Sequence, residues 1–235
     1  MTENRLQIKD SKGSKKGRLQ TRPSTPIKES AEPGQYQLQL AQKRDALLYV
    51  PKDYKPENPA ALALMLHGAG GNAEHGMILL QHFADDANII LLAPASQHAT
   101  WDVIADKYGV DVEFIDLALE YTFERFAVDN SRLAVGGFSD GASYALSLGL
   151  INGDLFSHII AFSPGFMAPT EQTGKPHIYI SHGTDDRVLP IERCSRRIVP
   201  QLKRSGYEVL YREFNGPHTI PPDIARESVQ WFAAK

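Results

Sequence analysis

Five residues in the middle of the chain carry its clearest chemical signal. Residues 137–141 read Gly-Phe-Ser-Asp-Gly, directly after an apolar run at 133–135 and directly before a stretch of small and apolar residues at 142–150. This order is typical of a nucleophile elbow, a sharp strand-to-helix turn that holds a serine hydroxyl clear of the sheet. Glycines flank the serine because backbone meets backbone there and leaves no room for a Cβ. The pattern predicts Ser139 as a nucleophile.

A serine nucleophile needs a general base at neutral pH, most often a histidine that a carboxylate orients. His218 lies in a loop of glycine and prolines that follows the last predicted strand. Asp185 and Asp186 stand in a loop after another predicted strand, at residues 178–180. These positions follow Ser139 in the chain order Ser, Asp, His that enzymes with this elbow use. We therefore predict His218 as the base, with the two adjacent aspartates as alternatives for the acid.

The third requirement is a pair of backbone donors for the oxyanion that forms on the attacked carbonyl. One donor is expected to be the N–H of Asp140, which directly follows the serine. The other is expected in the loop His-Gly-Ala-Gly-Gly-Asn at residues 67–72, and we assign it to Ala69. A phosphate-binding role is the alternative for these glycines, but no Lys-Ser or Lys-Thr pair follows them. His67 is predicted to form structural hydrogen bonds.

The elements that must position these groups alternate along the chain. Near-continuous apolar runs, typical of buried parallel strands, alternate with helical patterns, and the first two strands predict an antiparallel hairpin. The expected fold is α/β, a mostly parallel, doubly wound sheet with the candidate residues beyond the carboxyl ends of its strands. The predicted strands are residues 36–40, 45–50, 62–66, 89–93, 133–135, 159–162, 178–180 and 208–214, and the predicted helices are 73–87, 111–126, 142–150, 192–204 and 223–233.

Composition and charge indicate one globular domain. Of 235 residues, 42% are hydrophobic and 23% are charged, and a formal net charge of −3 does not suggest a nucleic-acid partner. Residues 1–34 hold eight Lys or Arg against four Asp or Glu and lack apolar periodicity. We predict a disordered basic tail there and a folded domain over 35–235. Residues 163–175 are too few for a cap domain over the site.

Several features bear on location. No apolar signal segment follows Met1, and no apolar run reaches the length of a membrane span. The single cysteine, Cys194, excludes an internal disulfide and fits a reducing cytosol; we expect it to be a spare surface thiol in a helix. These features predict a cytoplasmic protein. The sequence supports no prediction of its oligomeric state.

Neither a metal nor a cofactor is expected. The histidines outside the candidate site show no spacing typical of metal ligands. We predict Trp101, Phe166 and Leu189 as substrate-binding residues, because each follows a predicted strand in a loop near the expected site. Ordinary packing is the alternative for each of the three.

Four ordered motifs resemble those of the α/β-hydrolase superfamily, and in particular its phospholipase/carboxylesterase group, which is related to acyl-protein thioesterases and dienelactone-hydrolase-like esterases. The motifs are residues 66–72, 137–141, 182–190 and 216–218, and the resemblance covers 36–235. It implies the α/β-hydrolase fold without a cap domain. It also implies Asp186 as the acid, four residues after His182 and four before Pro190, with Asp185 as a loop or capping residue. Asp140 departs from the Met or Gln usual in the group, and Arg187 from a common Pro.

The residues and the resemblance together predict a serine carboxylic-ester hydrolase that works through an acyl-enzyme. Without a cap, the cleft should favour short acyl groups or bulky esters presented from solution, whether small molecules or polymers. A thioesterase, or a serine peptidase or acyltransferase of the same fold, is one alternative. A ligand-binding module that does no catalysis is another.

Overall fold

The computed structural model describes residues 13–234, which form an α/β domain around one eight-stranded sheet. The strand order is β1-β2-β4-β3-β5-β6-β7-β8, with β1–β2 and β2–β4 antiparallel and every other neighbouring pair parallel. The fold predicted from the sequence, including the N-terminal hairpin, is therefore confirmed. The strands are β1 Gly34–Gln37, β2 Ala46–Val50, β3 Ala60–Leu66, β4 Ile89–Pro94, β5 Val128–Phe138, β6 His158–Phe162, β7 His177–Gly183 and β8 Val209–Phe214.

Helices cover both faces of the sheet. Alternate residues of β3 enter two separate hydrophobic clusters: Leu64 packs on the side of the helices α4, α5 and α6, and Met65 packs on the side of α1, α2 and α7. No helix within residues 13–234 is long and apolar enough to cross a membrane. The helices are α1 Ala73–Met77, α2 Gln81–Ala87, α3 Asp102–Ala105, α4 Val110–Phe123, α5 Asp140–Ile151, α6 Ser195–Arg204 and α7 Pro222–Ala233.

The elements differ from the prediction in several places. The helix expected over 73–87 is two short helices, separated where Leu80 turns into the core. Strand β5 begins at Val128, because Val128 already pairs with Ala60 of β3, ahead of a register shift before the next pair, Leu62 with Leu133. Helix α6 starts at Ser195, three residues later than expected, after a turn at 191–194. Residues 163–176, between β6 and β7, contain no helix, as expected for a chain without an inserted cap there.

The N-terminal segment packs against the domain, so the prediction of a disordered tail is wrong for residues 13–34. Leu19 is 1% exposed, and its N–H donates to the side chain of Asn152, whose amide donates back to the carbonyl of Gly17. Arg18 forms a bidentate pair with Asp154. Both partners lie more than 130 residues away along the chain, so composition alone could not reveal them. Residues 1–12 of the predicted tail lie outside the described residues.

Cys194 is buried, and the expectation of a surface thiol is wrong. It is 5% exposed and stands at the N-terminal boundary of α6. Burial raises the pKa of its thiol. Arg193 and Arg197, the charged neighbours that suggested exposure, lie at the same end of α6. Charged neighbours in the sequence do not determine which side of the turn faces the core.

Candidate active site

Ser139 stands at the turn between β5 and α5 in a strained backbone conformation. Its φ of 58° and ψ of −120° lie in a region of backbone conformation that residues other than glycine rarely adopt. The turn is held by two bonds: Ser139 N–H donates to the carbonyl of Phe162 at 2.9 Å, and its carbonyl accepts from the N–H of Ser143 at 3.0 Å. A Cβ on Gly137 would lie 2.6 Å from the carbonyl oxygen of Leu66, and a Cβ on Gly141 would collide with the same oxygen. The local geometry is that of the predicted elbow.

Asp186 and His218 meet beyond the ends of β7 and β8. Nδ1 of His218 lies 2.5 Å from Oδ2 of Asp186, and Oδ1 of Asp186 accepts from the N–H groups of Val188 at 2.9 Å and Leu189 at 2.8 Å. Burial opposes ionisation of this carboxyl, but the hydrogen bonds from Leu189 and His218 hold its pKa below the ordinary value. Asp186 is thus an ionised acceptor that orients the imidazole. Asp185 is exposed, and its N–H donates to the carbonyl of Gly216.

The imidazole of His218 lies beside the elbow. Its ring packs on Phe138, the residue before Ser139, with 4.6 Å between ring centroids. Within residues 13–234, no hydrogen bond joins Ser139 Oγ to His218. Contacts between nucleophile and base are often long before substrate binds. The structure brings the three predicted residues to one edge of the sheet and joins two of them, Asp186 and His218, by a direct contact.

A second histidine behind the acid was assigned no role from the sequence. His182 is fully buried, with Nε2 2.8 Å from the carbonyl oxygen of Leu189 and 3.2 Å from Oδ2 of Asp186. Its Nδ1 lies 2.7 Å from Oγ of Ser195, at the start of α6. Burial lowers the pKa of His182, so the ring is neutral, donates from Nε2 and accepts the Ser195 hydroxyl at Nδ1. Its place four residues before Asp186 was the signal available in the sequence.

The two predicted oxyanion donors face the elbow from different segments. Asp140 is the first residue of α5, where helical N–H groups have no partner within the helix and the helix dipole favours negative charge. Ala69 is exposed in the loop after β3, next to Gly68, where a Cβ would lie 3.5 Å from Cβ of Ser139. Neither the N–H of Ala69 nor that of Asp140 donates to any group among the described residues. Both are therefore available to an acceptor beside Ser139.

Trp101 lies in the core, so its prediction as a substrate-binding residue is wrong. Its side chain is 0% exposed and is held between the rings of His67, at 4.8 Å, and Tyr144, at 5.1 Å. Its Nε1 donates to the carbonyl of His67 at 2.9 Å. His67 also accepts from the N–H of Ser96 at Nε2, which confirms its expected structural role. Trp101 does lie in the loop after a strand, β4, as predicted. The direction of its indole ring, however, is set by packing against Tyr144 of α5.

Phe166 and Leu189 both keep partly exposed side chains. The loop of Phe166 is tied to the elbow helix, because Oγ of Ser143 accepts from the N–H of Gly165 at 2.9 Å. Leu189 reaches the same loop: a Cβ on Gly165 would lie 3.1 Å from its Cδ2. The two residues border one side of the elbow, and their contact with substrate stays a prediction.

Two buried aspartates brace the loop that follows β4. Asp111 accepts from the N–H groups of Gln97 at 2.6 Å and Asp102 at 2.7 Å, while Asp102 accepts from those of Asp111 at 3.0 Å and Gly109 at 2.8 Å. The hydroxyl of Tyr144 also donates to Asp102. Burial raises the pKa of Asp111 to about 6 and also raises that of Asp102. This reciprocal pair was not predicted from the sequence, although its members lie only nine residues apart on either side of a turn.

A mostly parallel sheet with helices on both faces and a serine on the strand-to-helix turn defines the α/β-hydrolase fold. The chain belongs to the phospholipase/carboxylesterase family, whose sequence model matches residues 95–230. Membership agrees with the resemblance predicted from the motifs. Family and fold are those of carboxylesterase-type hydrolases.

The chain is also similar to individual proteins that are named as esterases. The chain is 30% identical over 157 residues to a probable feruloyl esterase C of Aspergillus niger and 29% identical over 157 residues to feruloyl esterase C of Emericella nidulans. Each match covers 63% of this chain and 57% of the relative, so the chain spans little more than half the length of either. A ferulic acid esterase from Anaeromyces mucronatus superposes with a TM-score of 0.65 at 16% identity, covering 90% of this chain and 96% of that one, and shares the fold.

Proposed function

We propose that the protein is a serine carboxylic-ester hydrolase with Ser139 as nucleophile, His218 as general base and acid, and Asp186 as the carboxylate that orients it. The N–H groups of Ala69 and Asp140 serve as the oxyanion hole. The observation that carries the proposal is the 2.5 Å contact between Oδ2 of Asp186 and Nδ1 of His218. The His218 ring also packs against Phe138, the residue before Ser139. A carboxylate–imidazole pair beside a serine on a strand-to-helix turn supports the roles of a Ser-His-Asp triad in elbow enzymes.

The reaction has two halves. Oγ of Ser139 attacks the ester carbonyl carbon while its proton passes to Nε2 of His218, and the carbonyl electron pair moves to oxygen. The oxyanion is bound by the N–H groups of Ala69 and Asp140 until it collapses, when the alcohol leaves with the proton from His218. Water then gives a proton to His218 and its oxygen attacks the acyl-serine carbonyl. Collapse breaks the bond to Oγ of Ser139, which takes the proton back from His218, and releases the carboxylic acid. Asp186 stabilises the imidazolium in both halves.

We propose two ester classes as substrates. The absence of a helix in residues 163–176 supports an open cleft that takes short acyl groups or bulky esters presented from solution. The similarity to proteins named feruloyl esterases supports esters of ferulic acid and related aromatic acids as the second class. The single cysteine, buried Cys194, is consistent with a reducing compartment such as the cytoplasm, which we propose as the location.

Ester hydrolysis by matched variants tests the proposal. Wild type and Ser139→Ala are compared on p-nitrophenyl acetate, butyrate, octanoate and palmitate and on methyl ferulate, with fluorophosphonate labelling as a second readout. We expect wild-type turnover that falls with chain length, no turnover or label in Ser139→Ala, and a loss of roughly 10³–10⁴ in kcat for Asp186→Asn. Asp185→Asn is the control and should keep its activity. A wild type that neither hydrolyses these esters nor takes the label would overturn the proposal in favour of a binding module.

A further inference from the structure

The two halves of the proposed oxyanion hole are tied together by a third segment, residues 96–101. The carbonyl of Ala99 accepts from the N–H of Gly70, next to Ala69, at 2.8 Å. The hydroxyl of Thr100 donates to Oδ2 of Asp140 at 2.7 Å. Consecutive residues of one loop therefore hold the β3 loop through its backbone and the first residue of α5 through its side chain.

The side chain of Asp140 places a negative charge next to the site where the negatively charged oxyanion has to form. Its backbone N–H is a proposed oxyanion donor, so its carboxylate stands within one residue of the oxyanion site. The Asp140 carboxylate and the oxyanion are like charges close to each other, so they repel, and the repulsion grows where water is excluded. The N-terminus of a helix also attracts a carboxylate, because its free N–H groups and its dipole favour an anion. A free carboxylate here can therefore turn to the same N–H groups that the oxyanion needs.

We propose that Thr100 is a positioning residue of the oxyanion hole: its hydroxyl holds the Asp140 carboxylate on the side of the 96–101 loop and leaves the N–H groups of Ala69 and Asp140 open to the substrate carbonyl. This inference rests on the proposed esterase function. Thr100 touches no reacting atom and acts through Asp140.

The loop is rigid enough for this task. The N–H groups of Gln97 and Asp102, on either side of Thr100, both donate to the buried carboxylate of Asp111. The next residue, Trp101, is anchored to the carbonyl of His67. With Trp101 and Asp102 buried directly after it, Thr100 presents its hydroxyl to Asp140 from an anchored backbone.

The role predicts an effect on kcat rather than on KM. Oxyanion donors are used most strongly in the transition state, so a carboxylate that competes for them raises the barrier more than it weakens substrate binding. Thr100→Val removes the hydroxyl at similar volume and should lower kcat by roughly tenfold with KM within about threefold. Thr100→Ser keeps the hydroxyl and should restore most of the activity.

A double-mutant cycle with Asp140→Asn identifies the charge as the cause. The amide keeps an oxygen that accepts from Thr100 but carries no charge, so Asp140→Asn should raise kcat. In the Asp140→Asn background, Thr100→Val should cost about twofold or less, a non-additivity expected only for residues that act together. The variants are compared on p-nitrophenyl acetate and by the Ki of phenylboronic acid, whose tetrahedral serine adduct uses the same donors. The Ki should rise in Thr100→Val and recover in the double variant.

The outcomes separate this inference from the function beneath it. A folded Thr100→Val with wild-type kcat and Ki overturns the role of Thr100 and leaves the esterase proposal intact. A double variant as impaired as Thr100→Val overturns the part played by the Asp140 charge and makes the hydroxyl a packing group only. A wild type with no esterase activity and no fluorophosphonate label overturns both. Circular dichroism and thermal unfolding of each variant show that a loss of kcat does not come from unfolding.

Discussion

The indole N–H of Trp101 donates to the carbonyl oxygen of His67 at 2.9 Å from a fully buried position. His67 begins the loop that carries Ala69, and the Trp101 ring is stacked on Tyr144 of α5. The ring therefore connects the two segments of the proposed oxyanion hole from beneath. An aromatic residue expected in the pocket wall supports the site from the core.

Replacing Trp101 with Phe should lower the free energy of unfolding by about 2–4 kcal/mol, since it leaves a cavity and an unpaired carbonyl at His67. It should also lower kcat, because the β3 loop loses an anchor. Urea unfolding and p-nitrophenyl acetate turnover measure the two effects. Trp231→Phe, in the partly exposed part of α7, is the matched control and should leave kcat at the wild-type level. Equal kcat values for both variants would contradict the support role.

His182 should be needed for the acid to hold its place. His182→Phe keeps a ring of similar size but removes the bonds to the carbonyl of Leu189 and to Ser195 and the contact with Asp186. We expect a loss of about 2–4 kcal/mol in stability from the stranded polar groups, and a kcat that falls roughly tenfold with little change in KM.

Ser195→Ala distinguishes the contact of His182 with Ser195 from its contacts with Leu189 and Asp186. It removes only the hydroxyl that donates to Nδ1, so Asp186 and Leu189 keep their contacts with His182. Its kcat should stay within about threefold of wild type. If folded His182→Phe turned over substrate as fast as wild type, Asp186 would hold its position through the N–H groups of Val188 and Leu189 alone.

Acid should destabilise the protein through His158. Burial against Trp231 and Phe232, with His177 beside it, lowers the pKa of His158 to about 4. An unfolded histidine titrates near 6.5. Between these two values the unfolded chain binds a proton that the folded chain does not, so stability falls as the pH drops from about 6.5 towards 4.

The measurement is urea unfolding at pH 7 and at pH 4.5 for wild type and His158→Phe. The variant should lose less stability than wild type over this interval, by on the order of 1–2 kcal/mol once partial solvent exposure is allowed for. His82→Phe, at an exposed position, is the control and should follow wild type. A pH dependence identical in wild type and His158→Phe would assign the acid sensitivity to other groups.

The N-terminal segment should contribute to stability through Leu19. Leu19→Ala should lower the free energy of unfolding by about 2–4 kcal/mol, the usual range for a buried leucine. Ile27, in the same segment but 77% exposed, is the matched control, and Ile27→Ala should change stability by no more than about 0.5 kcal/mol. Denaturant unfolding of the full chain measures both. Equal effects of the two substitutions would show that the packed segment does not form part of the cooperative unit.

The local patterns of the sequence were sufficient to predict the eight strands, the longer helices and the main candidate residues. Strand, glycine, serine, glycine and helix follow one another within about 20 residues, so the turn at Ser139 could be predicted from neighbours alone. The chain order then singled out His218, and the resemblance singled out Asp186 over Asp185. Their catalytic roles stay a proposal, but their placement at one edge of the sheet follows from parallel topology, because the carboxyl ends of such strands share an edge.

The sequence by itself thus determined the order of the eight strands along the chain, the family and the candidate site residues. Tertiary structure alone decided which side chains are buried and which distant groups meet: Trp101 in the core, Cys194 inside a turn, Leu19 against Asn152, and Thr100 on Asp140 across 40 residues of sequence. The physical reason is that periodicity and turn chemistry arise between near neighbours, whereas burial and hydrogen-bond partnership arise between segments that meet only after the sheet and its helices have packed.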